Sequence, residues 1–415
     1  MAESDFARDL HRIIGVCRAL GSERDLDRLL ELILREATAL VTADRASLFL
    51  VDEGRKELWT RIAQGAGEIR LPLGSGIAGS VAATAQVINI PEAHADPRFN
   101  PENDRRSGYH TRSILCMPLL NHLDVVVGVI QVLNKLDGTA FDGHDEHLLS
   151  ALCGQAAVAI DNAQLITKER ESQRLAREME LARQIQLSLL PDAPPEVSGW
   201  RFAAYTRSCD ETGGDYYDFI TRPDGGVDVV IGDVSGHGIA AAMLMSTARA
   251  FLRALHPVEP DAGRLITRMN ELLELDMADD TFMSFAHCRL GSDGSCALVN
   301  AGHEAPLFYR QGQGFDNVDI GGLLLGMLPD MLWESTAVPS LVSGDLMVLF
   351  TDGVFEAQAP PDFQTFGLDR LKETVVANAA GGAKAVCDAV VSAVDAWLAG
   401  HHPHDDLTLV VVERL

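Results

Sequence analysis

The chain has 415 residues, of which 47% are hydrophobic and 23% are charged, so it can bury the cores of two or three domains. Its formal net charge of −26 argues against a nucleic-acid-binding protein, because attraction to phosphate needs a basic face and no cluster of Lys and Arg supplies one. Seven scattered cysteines without a Cys-x-x-Cys pair are typical of buried thiols in a reducing compartment.

The N-terminal stretch "MAESDFARDLHRIIG" is acidic and amphipathic, unlike a signal peptide. No apolar run approaches the roughly 20 residues that a membrane span needs. The sequence therefore predicts a cytoplasmic protein that binds neither membrane nor nucleic acid.

The first part of the chain alternates helical and strand-like patterns. Residues 5–20 and 25–41 carry apolar side chains at helical spacing, which predicts two amphipathic helices. The polar segment 92–110 contains prolines and is interpreted as a long loop, of the kind that is often functional or mobile. Five runs with turn residues between several of them predict strands: SLFLVD (47–52), ELWTRIA (57–63), QVINIPE (86–92), RSILCMPLL (112–120) and VVVGVIQVLNK (125–135).

A long helical pattern begins near Asp145 and ends at the prolines of "PDAPPEVSG" (191–199), which cannot continue a helix. We take this as the main boundary and expect a first domain over 1–165, a helical linker over 166–194 and a second domain over 195–415. A coiled coil between two copies is one hypothesis for the linker, and a single helix lying against one of its domains is the other. The coiled-coil register places these residues on one seam: Leu165, Lys168, Ser172, Leu175, Met179, Ala182, Gln186 and Leu189.

Aspartates stand at the ends of apolar strands at four places in the second half. Desolvating one isolated carboxylate costs several kcal/mol, and a shared divalent cation would offset that cost if the strand ends converge. Oxygen donors without Cys or His suit Mg²⁺ or Mn²⁺, and two such ions could activate a water and hold a phosphoryl group. For any one place an ordinary Asp-Gly turn is the alternative. The positions are Asp215 in "ETGGDYYDFI", Asp233 in "VVIGDVSGHG", Asp352 in "LMVLFTDGVFEA", and Asp405 and Asp406 in "HPHDDLTLVVV".

A nucleotide-binding loop does not fit the same region. The segment "GHGIAA" (236–241) matches a loose G-x-G-x-x-A pattern after a strand. The dinucleotide fingerprint needs a second strand that ends in an acidic residue about 20 positions on, whereas helical "LMSTARAFLRAL" follows here. No Walker-type GxxxxGK[ST] motif is present either.

The ordered motifs "GGDYYD", "GDVSGHGIAAAML", "NAGHEAPLFYR", "TDGVFEA" and "DDLTLVVV" resemble the SpoIIE/RsbU-type members of the metal-dependent serine/threonine protein phosphatases, the PPM family. The resemblance covers about 195–415 and implies an αββα sandwich with two Mg²⁺ or Mn²⁺ ions in a cleft between the sheets. It implies that Asp233 bridges both ions and that the Val234 carbonyl binds one. Asp215 would hold one ion, and Asp352 with Asp405 the other.

The resemblance leaves several roles open. Asp406 is either a supporting residue or a ligand in place of Asp405, and Asp218 is either structural or a ligand. His237 is interpreted as a bystander and His303 as a loop-packing residue near the cleft. Arg207 is a candidate for holding the substrate phosphate on proximity in sequence alone.

The first part of the chain, about 10–165, resembles a GAF domain through "LPLGSGIAGSVAATAQ" and the final long helix. In relatives its NKxnFxxxDE motif accompanies cyclic-nucleotide binding. One interpretation is a structural clasp, with Lys135 paired to Asp145 and Phe141 packed beneath. The other is a site for a cyclic nucleotide or another small molecule. The motif residues are Asn134, Lys135, Phe141, Asp145 and Glu146.

Together these features predict an α+β protein of two domains, in which a GAF domain with an antiparallel sheet and flanking helices is joined by a long helical linker to an αββα phosphatase domain. The expected activity is hydrolysis of phosphoserine or phosphothreonine on a regulatory protein, in this family commonly an anti-sigma-factor antagonist, under control of the GAF domain. A homodimer formed through the linker is expected. A catalytically degenerate sensor or scaffold is the alternative. A cyclic-nucleotide phosphodiesterase is a second alternative, but the sequence shares only the GAF motif with it and lacks the His-rich metal clusters that such chemistry usually shows.

Overall fold

The computed structural model describes residues 2–52, 54–60, 69–277, 281–318, 320–360 and 363–415. The chain divides into two compact units, Met1–Arg174 and Leu175–Leu415. All seven cysteines are free thiols, and five of them are buried as the sequence predicts, whereas Cys17 and Cys209 are half-buried.

The first unit is an antiparallel sheet of six strands between two helical layers. The strand order is β3-β2-β1-β6-β5-β4. Leu29 and Ile33 of the second helix and Ile160 of the fifth belong to one core, and Ile77 and Val81 of the third belong to another. The helices are α1 (Ala2–Ser22), α2 (Leu26–Leu40), α3 (Gly76–Thr84), α4 (Glu102–Ser107) and α5 (Gly143–Leu187). The strands are β1 (Ala43–Asp52), β2 (Glu57–Thr60), β3 (Ile69–Pro72), β4 (Ile88–Ile90), β5 (Ile114–Leu120) and β6 (Val126–Lys135).

All five predicted strands contain an observed strand, although residues 61–63 of "ELWTRIA" lie outside the described part of the chain. The expectation of a long loop over 92–110 is wrong. This segment contains a 3₁₀ turn, Ala93–Ala95, and helix α4. Pro101 precedes that helix and Gly108, with a φ of 69°, ends it, a distribution of Pro and Gly that is typical of helix termini.

The second unit is built on two five-stranded antiparallel sheets, in the orders β14-β11-β10-β9-β8 and β13-β12-β15-β18-β7. Its helices are α6 (Ile239–Leu255), α7 (Ala262–Asp276), α8 (Asp352–Phe355), α9 (Leu368–Asn378) and α10 (Gly382–Leu398). Its strands are β7 (Trp200–Arg207), β8 (Tyr216–Thr221), β9 (Val227–Val234), β10 (Met283–Leu290), β11 (Cys296–Ala301), β12 (Leu307–Arg310), β13 (Gly314–Asp316), β14 (Thr336–Val338), β15 (Leu346–Phe350), β16 (Gln358–Ala359), β17 (Gln364–Thr365) and β18 (Leu407–Arg414).

Alternation of side chains along these strands produces four layers. Val229 and Ile231 of β9 pack with Met347 and Leu349 of β15 in the core between the sheets. On the outer faces, α6 and α7 cover the first sheet, and α9 and α10 cover the second. The predicted αββα sandwich is confirmed.

One stretch among the described residues, Leu368–Leu398, is long and apolar enough to cross a membrane by length and composition. In the fold it forms two helices, α9 and α10, separated by a 3₁₀ turn at Ala379–Gly381. Their side chains Leu371, Val375 and Val390 belong to the core against the second sheet. The apolar character of this stretch is therefore accounted for by packing within the domain.

Helix α5 is continuous from Gly143 to Leu187, as the sequence predicts for the linker region. Leu165 and Leu175 of the predicted seam are each 56% exposed. Gln186 is only 8% exposed and bonds to Gly213 inside the second unit, so placing it on a coiled-coil seam is wrong.

Candidate active site

Four of the predicted site residues lie at one end of the sandwich, two from each sheet. Asp215 immediately precedes β8 and Asp233 is the penultimate residue of β9, and the register pairs Tyr216 with Gly232. Asp352 follows β15 and Asp405 precedes β18, and Phe350 pairs with Leu409. Because each of these strand pairs is antiparallel, the end of one strand meets the start of the other at the same edge.

The carboxylates at this end of the sandwich form one electrostatic cluster. Burial, followed by the charges of Asp352 and Asp405, raises the pKa of Asp233 to about 8. Burial and the charge of Asp405 raise the pKa of Asp352 to about 6. The pKa of Asp215 lies well above its usual range because of burial and the charge of Asp233, and burial also raises the pKa of Asp405. Each negative charge is therefore costly without a positive partner.

The local donor set fits hard divalent cations. Asp215 Oδ1 is buried and has no hydrogen-bond partner in the described structure. A Cβ on Gly214 would lie 2.7 Å from the Val234 carbonyl oxygen and 3.3 Å from Asp233 Oδ1. Glycine thus leaves space beside two oxygens at the cluster. Carboxylate and carbonyl oxygens are the ligands that Mg²⁺ and Mn²⁺ prefer.

Asp406 organises the loop around these donors. Its side chain is 3% exposed and accepts hydrogen bonds from the backbone N–H groups of Cys209 at 2.8 Å, Gly214 at 2.7 Å and Asp215 at 3.4 Å. The adjacent Asp405 is exposed, and its Oδ1 accepts a hydrogen bond from the Asp406 N–H. These contacts give Asp406 a supporting position and leave Asp405 facing solvent.

Asp218 lies on the opposite side of β8 from the core between the sheets. Its side chain is fully buried, and Arg253 of α6 donates to both of its oxygens, at 2.8 and 2.6 Å. The Tyr216 hydroxyl donates to it at 2.7 Å. Asp218 thereby anchors β8 to α6. Of the two roles predicted for it, structural residue or metal ligand, these contacts agree with the structural role.

The other three residues singled out in the sequence occupy different positions. His303 is buried and its Nδ1 lies 2.8 Å from Ser284 Oγ, and burial lowers its pKa to about 4. His237 is exposed, lies 2.6 Å from Asp210 and lowers the pKa of Asp405 slightly against the effect of burial. Arg207 donates to Asp395 of α10 at 2.7 Å. One nitrogen of its guanidinium is thus engaged by α10 on the outer face of the second sheet, while its Nε has no hydrogen-bond partner among the described residues.

Three residues near the cluster were missed by the sequence reasoning. The Thr351 hydroxyl donates to Asp215 Oδ2 at 2.8 Å and accepts from the Thr408 N–H at 3.0 Å, so it joins the two sheets. Gln186 of α5 bonds to both the N–H and the carbonyl of Gly213. The charge of Glu304 contributes to the raised pKa of Asp352. Of these three, only Thr351 could have been suspected from the sequence, because it stands next to the predicted site residue Asp352.

The GAF-type motif of the first unit closes the start of α5 onto the sheet. Lys135 Nζ donates to Asp145 Oδ2 at 2.6 Å, with the two side chains 15% and 5% exposed, and Phe141 is buried. Glu146 accepts a hydrogen bond from Asn89 at 2.8 Å. The predicted ion pair and the packed phenylalanine are present.

Asn134 holds the segment before β5. It has a φ of 53°, a conformation that Asn tolerates better than most residues. Its Oδ1 accepts from the N–H groups of Arg112 at 2.6 Å and Ser113 at 3.2 Å, and its Nδ2 donates to the His110 carbonyl at 2.8 Å.

The four-layer sandwich with an acidic cluster at the sheet ends has a PP2C-like fold. Among solved structures, the SiaA-PP2C domain of Pseudomonas aeruginosa is similar to this chain with a TM-score of 0.52 and 21% sequence identity, over 59% of this chain and 98% of that one. This similarity supports the fold.

Residues 223–415 match the family model of Stage II sporulation protein E (SpoIIE), and residues 25–160 match that of the GAF domain. The chain therefore joins a region that matches the GAF domain to a region that matches the SpoIIE family model.

Curated relatives share about a third of this chain. A probable 3',5'-cyclic phosphodiesterase, pde-5, of Caenorhabditis elegans is 37% identical in an alignment of length 166 that covers 37% of this chain and 22% of that protein. The cGMP-specific 3',5'-cyclic phosphodiesterase of Drosophila melanogaster is 40% identical in an alignment of length 167 that covers 36% of this chain and 15% of that protein. The chain thus spans less than a quarter of the length of these relatives.

Proposed function

We propose that the second unit is a metal-dependent protein serine/threonine phosphatase of the RsbU type. The observation that carries this proposal is the cluster of Asp215, Asp233, Asp352 and Asp405, whose raised pKa values mark a site that lacks positive charge. Asp406 and Asp218 are proposed to support the site rather than bind metal, on the hydrogen bonds described above.

In this proposal Asp215, Asp233, Asp352, Asp405 and the Val234 carbonyl hold two Mg²⁺ or Mn²⁺ ions. When bound, such ions neutralise charge on a phosphoryl group and lower the pKa of a bound water. The chain itself positions the donors. Thr351 orients Asp215, and Asp406 fixes the Gly214 turn that lies against the Val234 carbonyl.

The substrate class is phosphoserine or phosphothreonine on a regulatory protein, and a phosphorylated anti-sigma-factor antagonist is the proposed example. The resemblance to SpoIIE/RsbU-type proteins and the match to the SpoIIE family model support this proposal. Sigma-factor regulation in the cytoplasm is the corresponding biological setting.

A phosphate-release assay on the full chain tests the activity. We expect hydrolysis of p-nitrophenyl phosphate and of phosphoserine or phosphothreonine peptides with Mn²⁺ or Mg²⁺, and none after chelation. Absence of hydrolysis with either metal would favour the alternative, a catalytically degenerate sensor or scaffold, although retention of all four aspartates argues against it.

We further propose that the GAF domain controls the phosphatase through α5 in a homodimer. The contact of Gln186 with Gly213 supports this route, because Gly213 lies two residues before Asp215. Such control requires two states of the helix end.

A small molecule is the proposed GAF effector, with a cyclic nucleotide as first candidate because the curated relatives are named cyclic phosphodiesterases. Calorimetric titration of the full chain with cyclic AMP and cyclic GMP tests this. The absence of heat and of a shift in the unfolding temperature would leave Asn134, Lys135, Phe141, Asp145 and Glu146 as a structural clasp only.

A further inference from the structure

A second group of ligand-type side chains lies in the GAF domain, away from its sequence motif. His94 belongs to the 3₁₀ turn Ala93–Ala95, Asp104 to α4, and His110 to the segment before β5. One donor atom from each of the three side chains lies within 4.8 Å of the others. The segment that was predicted to be a loop thus brings together three side chains that are separated in the sequence.

The spacing of the three side chains suits a tetrahedral ion. Bonds of about 2.1 Å place two ligand atoms of such an ion roughly 3.4 Å apart. His94 Nε2 lies 3.6 Å from Asp104 Oδ2. The rings of His94 and His110 are 5.0 Å apart between centroids and 21° from parallel, so both imidazoles border the same small volume.

Neighbouring groups hold these side chains in place. The N–H and hydroxyl of Thr111 donate to the two oxygens of Asp104, at 2.7 and 2.8 Å, and the Phe99 ring packs edge-on against His94 at 4.9 Å. The His110 carbonyl accepts a hydrogen bond from Asn134. Partners of this kind orient metal ligands and increase metal affinity, and a carboxylate oxygen with one hydrogen bond retains a lone pair for an ion.

We propose that His94, Asp104 and His110 form a binding site for a divalent transition-metal ion, with Zn²⁺ as the best match. Two imidazoles and one carboxylate favour this class of ion over Mg²⁺, which prefers oxygen donors alone. His94 and His110 are exposed, so the ion is reachable from solvent and keeps a position for water. Binding fixes the 3₁₀ turn, α4 and the start of β5 to one another, and Asn134 links this group to the GAF-type motif.

Zinc titration of the full chain against a chromophoric chelator, with Mg²⁺ in excess to fill the oxygen cluster, tests the site. We expect one tightly bound Zn²⁺ in the wild type and at least about a 100-fold weaker affinity in His94→Ala, His110→Ala and Asp104→Asn, because loss of a ligand should cost no less than the roughly 10- to 100-fold typical for loss of a ligand's partner. His122→Ala, which removes a GAF-domain imidazole that is 72% exposed, is the matched control and should bind as the wild type does.

Co²⁺ added to the wild type provides a second measurement that does not depend on the variants folding. A four-coordinate site with imidazole ligands gives a strong visible absorption that six-coordinate oxygen sites lack. Absence of that absorption, or an unchanged Zn²⁺ affinity in folded His94→Ala and His110→Ala proteins, would overturn the proposal.

Discussion

Two aspartates on strand β9, the buried Asp228 and the half-buried Asp233, differ in how their neighbours compensate their charge. Burial alone would raise the pKa of Asp228, but His256 at 2.9 Å, His287 at 3.1 Å and the hydrogen-bonded Arg289 lower it well below its usual range. Asp233, five residues later, is surrounded by other carboxylates and its pKa rises to about 8. Basic side chains of the protein itself compensate the charge of Asp228, whereas the groups that shift the pKa of Asp233 are carboxylates, so a bound cation would have to compensate it.

The same contrast gives a pH-dependent prediction for protein stripped of divalent ions. The pKa values of Asp233, about 8, and Asp352, about 6, exceed the value of 3.8 for a free aspartate, so the folded chain holds protons that the unfolded chain releases. These two groups therefore lower the free energy of unfolding as the pH rises from about 4 to 8.

Thermal unfolding in a chelator at several pH values checks this prediction. The difference in Tm between Asp233→Asn and the wild type, measured first near pH 4, should shift progressively in favour of the variant as the pH rises toward 8. Asp388→Asn, at an exposed position on α10, is the control and should follow the wild type. A Tm difference between Asp233→Asn and the wild type that stays constant with pH would contradict the prediction.

Single residues of the site could be predicted only where a strand pattern marked them. Asp215, Asp233, Asp352 and Asp405 stand beside apolar runs, and that pattern is visible in the sequence. Asp218 also lies in such a run, but its partner Arg253 is 35 positions away and becomes apparent only when α6 packs on β8. Contacts of this kind depend on packing, which no local spacing encodes.

At the scale of elements, hydrogen bonds attach the end of α5 to the Gly213–Gly214 turn. Gln186 bonds to both backbone groups of Gly213, and Asp406 bonds to the N–H groups of Gly214 and Asp215. A shift of the helix end would therefore act on Gly213, which lies two residues before Asp215 in the chain.

We expect Gln186→Ala to weaken Mn²⁺ binding by about 10-fold, the lower end of the 10- to 100-fold typical for loss of a group that orients a metal ligand, because Gln186 would act on the proposed ligand Asp215 only through Gly213. The concentration of Mn²⁺ that gives half-maximal hydrolysis of p-nitrophenyl phosphate measures the effect. Gln184→Ala is the matched control, because Gln184 is exposed and bonds only within α5, to Glu180. Equal Mn²⁺ requirements in the two variants would argue against an effect of the Gln186–Gly213 contact on metal binding.

The longer elements could be predicted and the short ones could not. Helix α5 and strands β6, β9 and β18 have eight or more residues and a clear apolar pattern. Strands β13, β14, β16 and β17 have two or three residues, too few for alternation to be recognised, and they are fixed by pairing with neighbours. The four-layer arrangement followed from the ordered motifs, whereas α4 and the 3₁₀ turn at Ala93–Ala95 did not.

At the scale of the whole molecule, one helix of 45 residues runs through both compact units. Large apolar side chains along it are more than half exposed, which is unusual for a helix that has no further partner. These are Leu165, Leu175, Leu181 and Ile185. A second copy of the chain is the occupant that we propose for this surface.

Light scattering coupled to size-exclusion chromatography should therefore give the mass of a dimer. The double variant Leu165→Glu/Leu175→Glu should give a monomer, because charge on the exposed positions opposes helix pairing. Leu136→Glu, at a position that is 64% exposed outside α5, should remain a dimer. A monomeric wild type at micromolar concentration would remove the dimer from the account.

The central claim, that carboxylates from both sheets form a metal-dependent phosphatase centre, is tested most directly by one assay. Mn²⁺-dependent phosphate release by the wild type is compared with that by Asp233→Asn/Asp352→Asn, with Asp388→Asn as control. We predict that the double variant loses at least about 10²-fold in rate, since bound metals contribute several kcal/mol to such reactions, while the control keeps full activity. Hydrolysis by the folded double variant at the wild-type rate would contradict the assignment.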